Sequence, residues 1–254
     1  MSDSTLTIGV LLPDMLGTYG DTGNATVLAQ RARWRGIDAA VLPLPATAPA
    51  AVTCDVYLLG GGEDAAQDFA VSWLDRYPAL LESLDGRSVT LAVCAGMQIL
   101  GRTLIDAHGR RHPGVGLLDL TTAPGSRRAV GDIATHCAID GVGLLTGFEN
   151  HQGVTQLGEG VAPLGTVITG VGNGASNGGL VAVDGALTPR IVATYLHGPV
   201  LARNPALADH LLERATGQTL PALDVPDVAA LRRQQLTAAF ARPRPRLARR
   251  NADR

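Results

Sequence analysis

The chain of 254 residues contains no lysine; all 21 of its basic residues are arginine. That absence removes the lysine of a Walker A phosphate loop and any Schiff-base chemistry. No run of 18 apolar residues occurs, so no membrane span is expected. The start, Met1-Ser2-Asp3-Ser4, leads into a strand without a signal peptide, and the expected location is cytoplasmic. Cysteine is sparse: Cys54, Cys94 and Cys137 fit neither a disulfide framework nor zinc-ligand spacing, and no metal site is expected. A formal charge of −2 leaves no nucleic-acid footprint outside the last 13 residues, which hold six arginines.

What the chain does have is 46% hydrophobic residues, enough for one large core. Buried-looking strands at 6–12, 39–44, 56–59 and 89–93 alternate with helical stretches at 25–35 and 65–83, the latter broken at Pro78. Such alternation predicts right-handed βαβ units, a mostly parallel sheet with helices on both faces, and ligands at the carboxyl ends of the strands. From Gly114 the pattern turns to glycine-rich short strands, read as an antiparallel extension or edge of the same sheet. Asn204-Pro205 opens a helix as N-cap and N1, and a last helix covers about 228–240. One α/β domain over residues 1–241 is expected, followed by an Arg/Pro tail at 242–254 without apolar periodicity, expected to be disordered.

The chemistry centres on the stretch Val89-Thr90-Leu91-Ala92-Val93-Cys94-Ala95-Gly96-Met97-Gln98. A buried strand that turns sharply into a helix lifts Cys94 out of the sheet. Small neighbours permit the bend, and the helix N-terminus behind the sulfur favours the thiolate. The plain alternative is an inert core cysteine. A second strand, 191–196, ends at His197-Gly198-Pro199, where a general base for a thiol nucleophile belongs; His151 is its competitor. Gly60-Gly61-Gly62 opens a helix with bare backbone N–H groups, which suits an oxyanion hole as well as it suits a flexible connector. The polar loop 17–24 lacks the spacing of a phosphate-binding loop.

Taken in order, the triple-glycine loop, the Cys94-Ala95-Gly96-Met97-Gln98 elbow and Tyr195-Leu196-His197-Gly198-Pro199 resemble the class I glutamine amidotransferases, in the subgroup of the cobyric acid synthase amidotransferase domains. Tyr19-Gly20-Asp21-Thr22-Gly23-Asn24, Gly60 to Gln67 and Gly147-Phe148-Glu149-Asn150-His151 resemble most closely the glutaminase subunits of lipid II isoglutaminyl synthases, the GatD type. The resemblance covers about residues 6–240. It implies a three-layer, flavodoxin-like α/β fold and hydrolysis of L-glutamine to glutamate and ammonia. Ammonia would pass to an ATP-dependent Mur-ligase-like partner, MurT, that amidates the D-glutamate of the lipid II stem peptide. No cofactor is expected in this chain; ATP and magnesium fall to the partner. The resemblance further implies Cys94 as nucleophile, His197 as base, the N–H groups of Gly61 and Ala95 as oxyanion donors, and Arg128 rather than Arg127 for the glutamine α-carboxylate. Gln98 either lines the glutamine pocket or caps an internal hydrogen bond. One departure stands out: where many class I members have Pro-Glu after the histidine, this chain has Gly198-Pro199. Either Cys94 and His197 act as a dyad, or a carboxylate arrives from the partner or from within the chain, with Glu63, Asp64 and Glu149 as internal candidates.

Overall fold

The computed structural model describes residues 5–17, 21–47, 53–174 and 181–241. Tyr19, Gly20, part of the Ala/Pro segment after β2 and the arginine-rich tail lie outside them.

The first half follows the alternating pattern: β1 (Leu6–Leu11), α1 (Gly23–Arg33), β2 (Ala39–Leu44), β3 (Val56–Leu59), α2 (Asp64–Leu74), α3 (Pro78–Glu82), β4 (Val89–Val93) and α4 (Ala95–Leu100). Pro78 starts α3 after a break, as its missing N–H dictates, and a π turn at Ser83–Arg87 leads into β4. The second half contains β5 (Thr103–Ile105), β6 (Arg111–Pro113), β7 (Leu120–Cys137), β8 (Leu144–Leu157), β9 (Gly165–Thr169), β10 (Val183–Asp184), β11 (Ala186–Leu187), β12 (Ile191–Thr194), α5 (Val200–Arg203), α6 (Pro205–Thr216) and α7 (Pro226–Ala241).

One sheet has the order β11-β12-β4-β3-β1-β2, parallel except for β11. Every residue of β3, β4 and β12 is buried, the mark of strands covered on both faces. Helix α1 packs with α5 and α6. Arg31 grips Asp209 of α6 through two bonds of 2.7 and 2.6 Å, a forked contact that an ammonium would not reproduce. The strand order reverses at β1 and β3, so their carboxyl ends open the crevice where ligands bind in such sheets.

Strands β5 to β10 do not extend this sheet. They form a second one, β10-β9-β7-β5-β6, with β8 paired to β7. The 18 residues of β7 and 14 of β8 make a long hairpin rather than short strands. Glycines sit inside β8 where α4 and the end of β12 press against it. A Cβ on Gly153 would stand 2.5 Å from Gln98 Nε2 and 2.8 Å from the Tyr195 hydroxyl. The two sheets join where the His197 N–H donates to the Phe148 carbonyl at 2.7 Å. Asn204 precedes α6, but its side chain makes no cap; it instead accepts from the Thr146 N–H at 2.9 Å and donates to the Thr146 carbonyl at 2.8 Å.

Candidate active site

The elbow has the predicted form. Val93 ends a buried strand, and Cys94 takes φ 53° and ψ −106° as the residue before α4. A side chain rarely adopts this conformation, which stores about 1–3 kcal/mol held by the surroundings. The Cys94 N–H donates to Thr194 O at 2.9 Å, and the Gly96 N–H to Gly60 O at 3.1 Å. Cys94 is thereby tied both to the strand that delivers His197 and to the triple-glycine loop.

Cys94 lines a cavity of about 540 Å³ together with Gln98, Arg128, Asn150, His151 and Gly153. Arg127 does not line it. Gln98 makes the internal hydrogen bonds expected of it and also lines the cavity. It accepts from Gln67 Nε2 at 3.0 Å and donates to the Tyr195 hydroxyl at 3.0 Å. That hydroxyl pairs with Thr155 Oγ1 at 2.6 Å, and Thr155 with Thr122 Oγ1 at 2.8 Å, so the cavity floor is a continuous polar network.

The expectation for the thiol is corrected. Burial pushes the Cys94 thiol up to about 12; the Ala95 N–H and the Arg128 charge act the other way, and the Asp21 carboxylate adds to the rise. A helix terminus of one short helix does not outweigh loss of solvent. Burial likewise lowers the His197 pKa, while Asp21 supports the protonated form. Burial thus works against the charged form of both groups.

His197 is 1% exposed. Its Nδ1 faces the Tyr195 carbonyl at 2.7 Å and the Phe148 carbonyl at 3.2 Å. These two acceptors fix the proton on Nδ1 and the basic lone pair on Nε2. They supply the orientation for which a carboxylate was sought. His151 lines the cavity whereas His197 is not among the lining residues. Yet His151 is held by its Nδ1 on Gly153 O at 3.0 Å, lies 3.5 Å from Glu149 Oε2 through Nε2, and stacks on Tyr195 at 3.8 Å. Glu149, one of the internal candidates, instead accepts the N–H groups of Val171 and Gly172 at 2.9 to 3.1 Å. Glu63 is exposed, at the N-cap of α2 and on the cavity wall; the side chain of Asp64 lies outside what is described.

The carboxylate that acts on His197 is Asp21, which sequence reasoning passed over. It is 4% exposed, burial raises its pKa, and its Oδ2 accepts the Gly61 N–H at 2.7 Å. The N–H expected to serve an oxyanion, that of Gly61, is engaged here by the Asp21 carboxylate, whereas the Ala95 N–H lies beside the thiol. The clue to Asp21 lay in the motif Gly20-Asp21-Thr22-Gly23-Asn24, in which Asn24 has a structural part: its Oδ1 accepts the Leu201 N–H at 3.0 Å. Among the described residues no group of three or more His, Cys, Asp or Glu is placed to hold a metal ion, and no helix is long and apolar enough to cross a membrane.

A strained cysteine elbow beside a histidine strand end is shared by several hydrolase folds, and comparison with known proteins decides among them. The sequence profile of the CobB/CobQ-like glutamine amidotransferase domain matches residues 7–205. The chain belongs to this family. It is 35% identical over 212 residues to the lipid II isoglutaminyl synthase (glutamine-hydrolyzing) subunit GatD of Staphylococcus aureus, covering 83% of this chain and 84% of that one. With the GatD of Streptococcus pneumoniae it shares 34% identity over 216 residues, 83% of this chain and 80% of the other. The cobyric acid synthase of Pelotomaculum thermopropionicum is 31% identical over 173 residues, which are 62% of this chain and only 32% of that enzyme. Among solved structures, a glutamine amidotransferase superposes with a TM-score of 0.52 at 19% identity, over 82% of this chain and 98% of the other, in agreement with the fold. This amidotransferase thus carries its cysteine, its histidine and its cavity on the class I framework.

Proposed function

We propose that the chain is the glutaminase subunit of a lipid II isoglutaminyl synthase, with Cys94 as nucleophile and His197 as base. The observation that carries the site assignment is that Cys94 and Arg128 line one cavity whose floor is the Gln98–Tyr195 network. The near full-length match to two GatD subunits supports the choice of synthase over the corrinoid type, whose members this chain spans by only about a third.

Glutamine enters with its α-carboxylate on Arg128, and the cavity loses water. His197 Nε2 takes the Cys94 proton as sulfur attacks the side-chain amide carbon. Forming the thiolate only during attack avoids holding a buried charge at rest. The Ala95 N–H stabilises the oxyanion. The imidazolium then protonates the departing nitrogen, giving ammonia and a glutamyl thioester. Water, deprotonated by His197, releases glutamate and restores the thiol. Asp21 favours the imidazolium on which both halves depend.

Ammonia needs an activated carboxylate as acceptor, and activation by ATP and magnesium belongs to a MurT-like ligase partner, on the lipid II stem peptide in the cytoplasm. The test is to purify the chain with the Mur-ligase-like protein of its host and supply lipid II, ATP and glutamine. Conversion of the D-glutamate α-carboxyl to its amide is expected. Failure with lipid II but amidation of a corrinoid carboxylate by another synthetase would contradict the assignment.

A further inference from the structure

We propose that Asn150 is the positioning residue for glutamine recognition, holding the Arg128 guanidinium by its Nε edge so that the terminal nitrogens are presented to the substrate α-carboxylate. The proposal rests on the reading of the Cys94 cavity as the glutamine site.

Arg128 lies in a stretch of irregular strand pairing. The β7–β8 register is lost between Pro124 and Ala129, and Arg128 is exposed. A guanidinium reads a carboxylate only when its planar fork is correctly oriented, and a mobile arginine loses conformational freedom on binding. Asn150 supplies the fixed point. Arg128 Nε donates to Asn150 Oδ1 at 2.6 Å, and both residues line the cavity with Cys94.

Asn150 is itself rigidly placed. It stands in register with Val130 in the hairpin. On one side Glu149 is fastened to the Val171 and Gly172 N–H groups. On the other, His151 is fastened to Gly153 O and stacked on Tyr195. Three consecutive residues of β8 thus serve the cavity in different ways, the outer two fixing the strand and the middle one fixing the arginine. The amide is also the right chemical type. It accepts from Nε without neutralising Arg128, whereas a carboxylate at 150 would pair with the guanidinium and compete with the substrate.

The experiment compares Asn150→Ala, Asn150→Asp, Arg128→Ala and the double variant Arg128→Ala/Asn150→Ala. It reads inactivation of Cys94 by two electrophiles, a glutamine-shaped diazoketone amino acid that carries the α-carboxylate and iodoacetamide, which does not. Loss of a hydrogen bond to a charged group predicts about a tenfold slower reaction of Asn150→Ala with the amino-acid reagent. Its iodoacetamide rate and melting temperature should stay unchanged. The double variant should be no slower than Arg128→Ala, because the asparagine acts only through the arginine. Asn150→Asp, which keeps the shape and the acceptor, should lose at least as much preference as Asn150→Ala. Additive losses in the double variant, equal loss with both reagents, or full preference in Asn150→Asp would each overturn the proposal. So would an unchanged Asn150→Ala alongside an impaired Arg128→Ala. An Arg128→Ala variant with undiminished preference would instead overturn the glutamine-site reading itself.

Discussion

Gly96→Ala tests whether the elbow geometry, rather than the presence of a cysteine, makes the site. The added methyl would stand 2.7 Å from the Leu59 carbonyl oxygen, 2.8 Å from Leu59 Cβ and 3.0 Å from the Leu59 carbonyl carbon. These atoms belong to the buried end of β3 and have no flexible tail to swing away. Reaching ordinary carbon contacts of about 3.5 Å requires α4 and β3 to part by roughly 0.7 Å. Overpacking of this kind costs about 1–3 kcal/mol. At about 2–4 °C per kcal/mol for a chain of this size, the melting temperature should fall by about 2–12 °C. The same displacement stretches the Gly96–Gly60 bond and moves Cys94 two residues upstream, and a shift approaching 1 Å can cost about a hundredfold in rate. Thermal melts and glutamine hydrolysis are measured side by side, with Gly86→Ala as control because a Cβ there meets nothing within 4 Å. Gly96→Ala with unchanged melting temperature and turnover would refute the argument for a close-packed elbow.

Asp21→Asn keeps an acceptor for the Gly61 N–H but removes the charge that helps to hold the Cys94 thiol up. The pH midpoint for Cys94 alkylation should therefore move down, and an unmoved midpoint would separate Asp21 from the thiol. Asp184, fully buried, accepts from Thr194 Oγ1 at 2.6 Å, and burial raises its pKa to about 6. Since the folded state then holds this proton more tightly than the unfolded one, stability is greatest below about pH 4 for this group and declines as pH rises through about 6, by on the order of 3 kcal/mol. Denaturant melts of Asp184→Asn should show a flatter profile across that window; an identical slope in both proteins would contradict the assignment.

The parallel sheet was legible because its strands are buried on both faces and its helices intervene at regular intervals, so the 56–59 and 89–93 runs stand out. Cys94 was legible because a buried strand followed directly by small residues has few other ways to proceed. The second sheet was not, since short glycine-rich strands read equally well as an edge of the first, and only the opposing Leu196, Gln98 and Tyr195 side chains show Gly147 and Gly153 to be sites of close approach. Asp21 and the carbonyls on His197 Nδ1 were hidden for a related reason. Backbone acceptors have no sequence signature, and a carboxylate that meets Cys94 and His197 from 73 residues before Cys94 is placed there only by the sheet order β12-β4-β3-β1. The high thiol pKa follows from enclosure by elements distant in the chain, which a reading of the local helix N-terminus does not contain.

In the proposed reaction Cys94 serves only to free ammonia from glutamine. In the proposed complex with a Mur-ligase-like partner, Cys94→Ala is therefore measured for lipid II amidation with glutamine and, separately, with ammonium chloride as nitrogen source. Glutamine-dependent amidation should vanish while the ammonia-dependent rate stays at the level of the unaltered complex. Glutamine-dependent turnover that survives in Cys94→Ala would contradict the account.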